Sequence, residues 1–186
     1  LTETIPCPNH SAMHRFASPA QFQRLHRVLL PLSAGLTLLL AATGLYLGLL
    51  VAPDDYQQGS TVKIMYIHVP AAWMASFAYG FMALMSASFL IWRHTLADVL
   101  ARQAAPIGAT FTLLTLLTGM LWGKPTWGAY WVWDARLTSM LILLLLYIGY
   151  LAIATSDTHS PRTKVAAAWV ALIGAINLPI IKYSVE

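Results

Sequence analysis

Five stretches of this chain, residues 28–53, 64–92, 103–123, 137–156 and 165–181, contain no Asp, Glu, Lys or Arg. Each approaches or exceeds the ~20 mostly apolar residues that cross a hydrocarbon layer. Backbone N–H and C=O groups find no water there, so such runs must be helices and not open strands. Hiding five of them in a soluble core would need far more polar surface than a chain with 10% charged residues and mean hydropathy +0.64 carries. The fold class that follows is all-α: a polytopic membrane helix bundle with spans over 28–51, 70–92, 104–121, 137–154 and 165–181. Pro31, Pro70 and Pro106 are expected in first turns, where a missing N–H is tolerated, and Pro179 is placed to kink the fifth helix.

Basic residues orient the bundle. Arg15, Arg24, Arg27, Arg93, Arg102, Arg162 and Lys164 fall on one set of connections, and Lys63, Lys124, Arg136 and Lys182 on the other. Seven against four predicts an N-terminus inside, with loops 52–69 and 122–136 outside. Residues 1–27, with Pro6, Pro8, Pro19, His10 and His14, read as a mobile cytoplasmic tail without the apolar core and cleavage site of a signal peptide. Residues 28–186 form the transmembrane domain. A lone Cys7 excludes an internal disulfide, a CxxC pair and a CxxCH haem attachment within this sequence. The net charge of +4 reflects basic residues flanking spans and is no argument for nucleic acid.

Small residues point to close helix contacts. Gly44 and Gly48 make a GxxxG step, and Gly108, Thr112, Thr115 and Gly119 form a stripe on the third span. Both read as packing surfaces.

Chemistry concentrates in Trp122–Thr138, WGKPTWGAYWVWDARLT, where four of the seven tryptophans fall within twelve residues. Trp and Tyr anchor helices at the bilayer interface, and Trp73, Trp92 and Trp169 are expected to do that. The loop exceeds what an anchor requires. If residues 127–134 are helical, Trp127, Tyr130 and Trp131 share one face of a short interfacial helix, and Trp133 points elsewhere. Asp134 and Arg136, two apart, would not face each other on a helix. Such a platform suits a cation or a flat π-system. A porphyrin would also want basic groups for its propionates, available from Lys63, Lys124 and Arg136, and an axial ligand for iron. Of six histidines, His68 alone is placed on the outside face, just before the second helix. A histidine at an aromatic rim serves either as a hydrogen-bonded structural residue or as a ligand. His94 and His159 belong to the inside loops.

The run from Trp122 to Thr138 resembles the Trp-rich signature of the haem-handling membrane proteins of cytochrome c maturation, most closely the CcmC (haem exporter protein C) family. Supporting stretches are APDDYQQG at 52–59, YIHVPAA at 66–72, APIGA at 105–109 and NLPIIKYSVE at 177–186. The resemblance implies six helices in a bacterial inner membrane and a non-covalent, transient haem b held on the periplasmic face. It implies the haem chaperone CcmE, the transporter subunits CcmA and CcmB, the small membrane protein CcmD and lipid as partners. It makes His68 an axial ligand, and Trp122, Trp127, Trp131, Trp133, Asp134 and Arg136 the haem- and chaperone-facing set, with Lys63 and Lys124 as basic neighbours. A second axial histidine and a sixth helix are expected beyond Glu186, in a longer polypeptide.

No catalytic constellation accompanies these residues: there is no P-loop, outside Ser–His–Asp set or metal-ligand spacing, so an enzyme is not expected. A small-solute permease would want ionisable residues around a midplane cavity, and an electron-transfer subunit would want histidine pairs at mid-depth. The five charge-free runs offer neither.

Overall fold

A computed structural model describes residues 19–184; Cys7, His10, His14 and Arg15 lie outside them. Among the described residues the structure is helical, with a single isolated bridge between Asp55 and Gly59 in place of any strand. Five helical segments are long and apolar enough to span a membrane: Leu25–Val51, Ser60–Trp92, Thr95–Trp127, Ala135–Ser156 and Pro161–Tyr183.

The chain divides after Val51 into two compact units. The first contains α1, Pro19–Tyr46, ending in a π-helical turn over Leu47–Val51. This helix starts nine residues before the expected position 28, so the backbone of 19–27 is helical where a tail was expected. Pro31 therefore sits inside α1 and not in its first turn.

The second unit contains α2 (Met65–Trp92), α3 (Thr95–Trp127), α4 (Ala135–Ser156), α5 (Pro161–Gly174) and α6 (Asn177–Tyr183). A 3-10 turn over Ser60–Ile64 leads into α2. Helices α2 and α3 run longer than expected, which leaves Pro70 and Pro106 in their interiors. Screening for charge-free runs trims helix ends, because a charge that finds a partner does not stop a helix. Arg102, expected in a loop, instead lies two turns inside α3, with Nε 3.1 Å from both oxygens of the buried Asp98. It also donates to the Ala154 carbonyl, while Lys164 approaches Asp98 at 3.8 Å. This cluster ties α3, α4 and α5 together at one end of the unit.

Close contact between α2 and α3 follows from small residues. Ala71, Ala75 and Ala78 on α2, and Ala101, Ala105, Thr112 and Thr115 on α3, are all buried. Their three- and four-residue spacing gives each helix one continuous face. Two glycines of the unit seat tyrosines. A Cβ on Gly108 would overlap the Tyr147 hydroxyl, and one on Gly174 would overlap that of Tyr79. Tyr79 and Tyr147 meet edge to face with centroids 4.9 Å apart.

In the fifth span the bonding pattern is interrupted between α5 and α6, while Ala175 and Ile176 keep right-handed helical dihedrals. Pro179 has no N–H for the Ala175 carbonyl, which accepts from Leu178 N at 3.1 Å instead. Helix α6 starts at Asn177, two residues before Pro179, and is fastened to α4 by Asn177 Nδ2 donating to the Ser139 carbonyl at 2.9 Å.

Candidate functional site: an aromatic rim and its histidine

His68 lies in the first turn of α2, not ahead of the helix. Its half-buried ring faces α3, with Nδ1 3.0 Å from Thr118 Oγ1. Gly119 makes room for it, since a Cβ there would stand 3.1 Å from His68 Cε1 and 3.6 Å from Leu137 Cδ2. Leu137 belongs to the first turn of α4. The imidazole therefore occupies the joint where α2 begins, α3 nears its end and α4 starts.

The tryptophans continue from that joint. Helix α3 does not stop at residue 121 but runs through Pro125 to Trp127, placing Trp122 one turn beyond Thr118. Gly128 ends the helix in the left-handed region, at φ 78°, and its N–H bonds the Lys124 carbonyl at 3.0 Å. The short interfacial helix considered for 127–134 does not form: the segment after Gly128 is non-helical up to the α4 cap. Trp127, Tyr130 and Trp131 consequently do not share a helical face. The rings assort as two edge-to-face pairs, Trp122 with Trp127 at 5.1 Å and Trp131 with Trp133 at 5.4 Å. Trp133 thus joins the platform, while Trp131 packs against the core with its indole Nε1 buried and without a partner.

Asp134 and Arg136 do meet. Asp134 is the N-cap of α4 and not a helical residue; its Oδ1 accepts from Leu137 N at 2.8 Å. Its Oδ2 accepts from Arg136 Nε and Nη2 at 3.1 and 3.0 Å. The guanidinium also stands 5.1 Å over the Trp127 ring, a cation–π contact. Lys124 lies 5.2 Å over Tyr130 and donates to the Gly128 carbonyl at 3.0 Å, and Lys63 pairs with Asp54 at 3.1 Å.

One participant escaped the sequence reading. Trp122 Nε1 donates to Gln58 Oε1 at 3.0 Å, tying the 52–64 connection to the platform. Asp55 shapes that connection by accepting from the backbone of Gln57 and Gln58, each at 2.8 Å. The turn residues DDYQQG were the available signal.

His68, Trp122, Trp127, Trp131, Trp133, Asp134, Arg136, Lys63 and Lys124 thus gather at one end of the second unit. His94, which precedes α3, and His159, whose N–H bonds Asp157 at 3.0 Å, stand at the other end. Among the described residues no three His, Cys, Asp or Glu side chains group around a metal position. A porphyrin iron brings four ring nitrogens of its own, so one imidazole is enough for a fifth bond, and the residues present fit that group.

The family described as Heme exporter protein C matches residues 12–186. A protein of that name from Bradyrhizobium diazoefficiens is 57% identical over 170 residues, covering 91% of this chain and 64% of the relative. One from Haemophilus influenzae is 44% identical over 174 residues, covering 94% and 71%. One from Paracoccus denitrificans is 40% identical over 171 residues, covering 92% and 70%. The chain therefore spans about two thirds of the length of these curated relatives. A match over residues 12–186, a range that includes the tryptophan rim and His68, makes this chain a member of the Heme exporter protein C (CcmC) family.

Proposed function

We propose that this chain holds haem b non-covalently at the aromatic rim and presents it to the chaperone CcmE during cytochrome c maturation. The N-terminus is cytoplasmic and the rim faces the periplasm in a bacterial inner membrane, with CcmA, CcmB and CcmD as neighbours. No turnover chemistry is assigned to the chain itself. The observation carrying this reading is the position of His68, engaged through Nδ1 by Thr118, which stands one helical turn before Trp122 on α3; this leaves Nε2 for iron. The two indole pairs supply apolar faces for a macrocycle, and Lys63, Lys124 and Arg136 supply positive charge for propionates.

A permease receives no support from the interior. The buried Tyr147 and Asn177 are each bonded to a backbone carbonyl of a neighbouring helix and so serve to join helices. The test is His68→Ala in the membrane-embedded full-length protein. Co-purifying haem should fall and its absorption bands should shift. Unchanged haem content and spectrum would remove His68 as ligand.

A further inference from the structure

A hydroxyl has one proton to give, and at Thr118 that proton is already committed. Thr118 Oγ1 lies 2.7 Å from the Leu114 carbonyl oxygen and 3.2 Å from that of Thr115. Two oxygens at 2.7 Å repel unless a proton stands between them, so the hydroxyl donates along its own helix. Its lone pairs are what remain for the imidazole 3.0 Å away. The contact between Nδ1 and Oγ1 must then be N–H···O, with the ring as donor. Thr118 is itself buried, so no competing water is needed to explain the geometry. A neutral imidazole with its proton on Nδ1 carries its free lone pair on Nε2.

We infer that Thr118 is a positioning residue: it fixes His68 as the Nδ1–H tautomer and so keeps Nε2 ready to bind a metal centre. The inference rests on the haem-binding reading for its purpose but not for its chemistry. Gly119, next in sequence, lets the ring come close enough for the bond to form. An outer partner of this kind orients a ligand histidine and raises its basicity, and its loss typically weakens metal binding 10–100-fold.

The test needs no haem in its first arm. Full-length protein, 15N-labelled at histidine and held in lipid at a pH of about 8, above the ordinary imidazole value, reports the tautomer through its ring nitrogen shifts. His68 is assigned from the signals lost in His68→Ala. The expected result is Nδ1–H in the wild-type protein and in Thr118→Ser, and a mixed or inverted tautomer in Thr118→Val. Finding His68 as Nε2–H in the unaltered protein would overturn the inference without reliance on any variant. In the second arm, haem dissociation should quicken about ten-fold in Thr118→Val and return to normal in Thr118→Ser. Equal rates in all three would refute the positioning role. If His68→Ala leaves haem binding unchanged while the wild-type ring is Nδ1–H, the functional reading fails and the hydrogen-bond assignment stands.

Discussion

The hydroxyl of Tyr147 occupies the space a side chain on Gly108 would need, and from there it donates to the Ala75 carbonyl at 2.8 Å. One aromatic residue on α4 thereby bridges α3 and α2. Gly108→Ala should force these helices apart and destabilise the fold by about 1–3 kcal/mol, the usual cost of overpacking. Thermal unfolding in detergent measures it. Combining it with Tyr147→Ala, which removes the ring whose hydroxyl, Cζ and Cε1 all crowd that position, should cost less than the sum of the two single changes. Strict additivity of the two changes would show that the clash is not the source.

Asp134 has two separable duties, capping α4 and pairing with Arg136. Asp134→Ala should cost about 1 kcal/mol, mostly from the cap, since the half-exposed pair contributes little. Asp134→Asn keeps a capping oxygen and should retain most of that stability while losing the charge. Equal destabilisation by the two variants, followed by thermal unfolding, would contradict the cap.

Gly119→Ala places a methyl group 3.1 Å from His68 Cε1. The ring must give by a few tenths of an ångström, which disturbs its bond to Thr118, so haem retention should fall while protein abundance changes little. Pull-down absorbance normalised to immunoblot signal reads both quantities. A proportional drop in the two would assign Gly119 to folding alone.

Trp127 and Trp131 differ in depth, and their variants should differ too. Trp127→Ala removes an indole that contacts Trp122 and the Arg136 guanidinium, and should reduce haem transfer to the chaperone more than it reduces abundance. Trp131 packs against the core, so Trp131→Ala should lower both. Haem recovered on the chaperone, compared with membrane levels of each variant, tests the split.

Uninterrupted apolar runs made the spans legible, and depth reckoned along them placed His68 at the same end as the tryptophans. The details at helix ends were not legible, because they depend on which terminator prevails. Pro125 looks like a stop, yet Gly128 ends α3, since a proline near the last turn removes one bond whereas a left-handed glycine redirects the chain. That displacement converts Asp134 from a helical residue into a cap and lets it reach Arg136. Thr118 was visible only as one more small residue beside a packing stripe. Its significance depends on a partner fifty positions away, and no local pattern carries that.

Lys63, Lys124 and Arg136 each already have a partner: a carboxylate, a carbonyl with an aromatic face, and a carboxylate with an indole. An arriving dianionic ligand therefore trades one set of contacts for another instead of meeting bare cations. Such exchanges at an exposed surface yield only about 0–1 kcal/mol each. In the haem-holding role proposed above, grip would then rest on stacking and the imidazole bond, and a cargo loosened at its iron would have little electrostatic tether left to break before it departs.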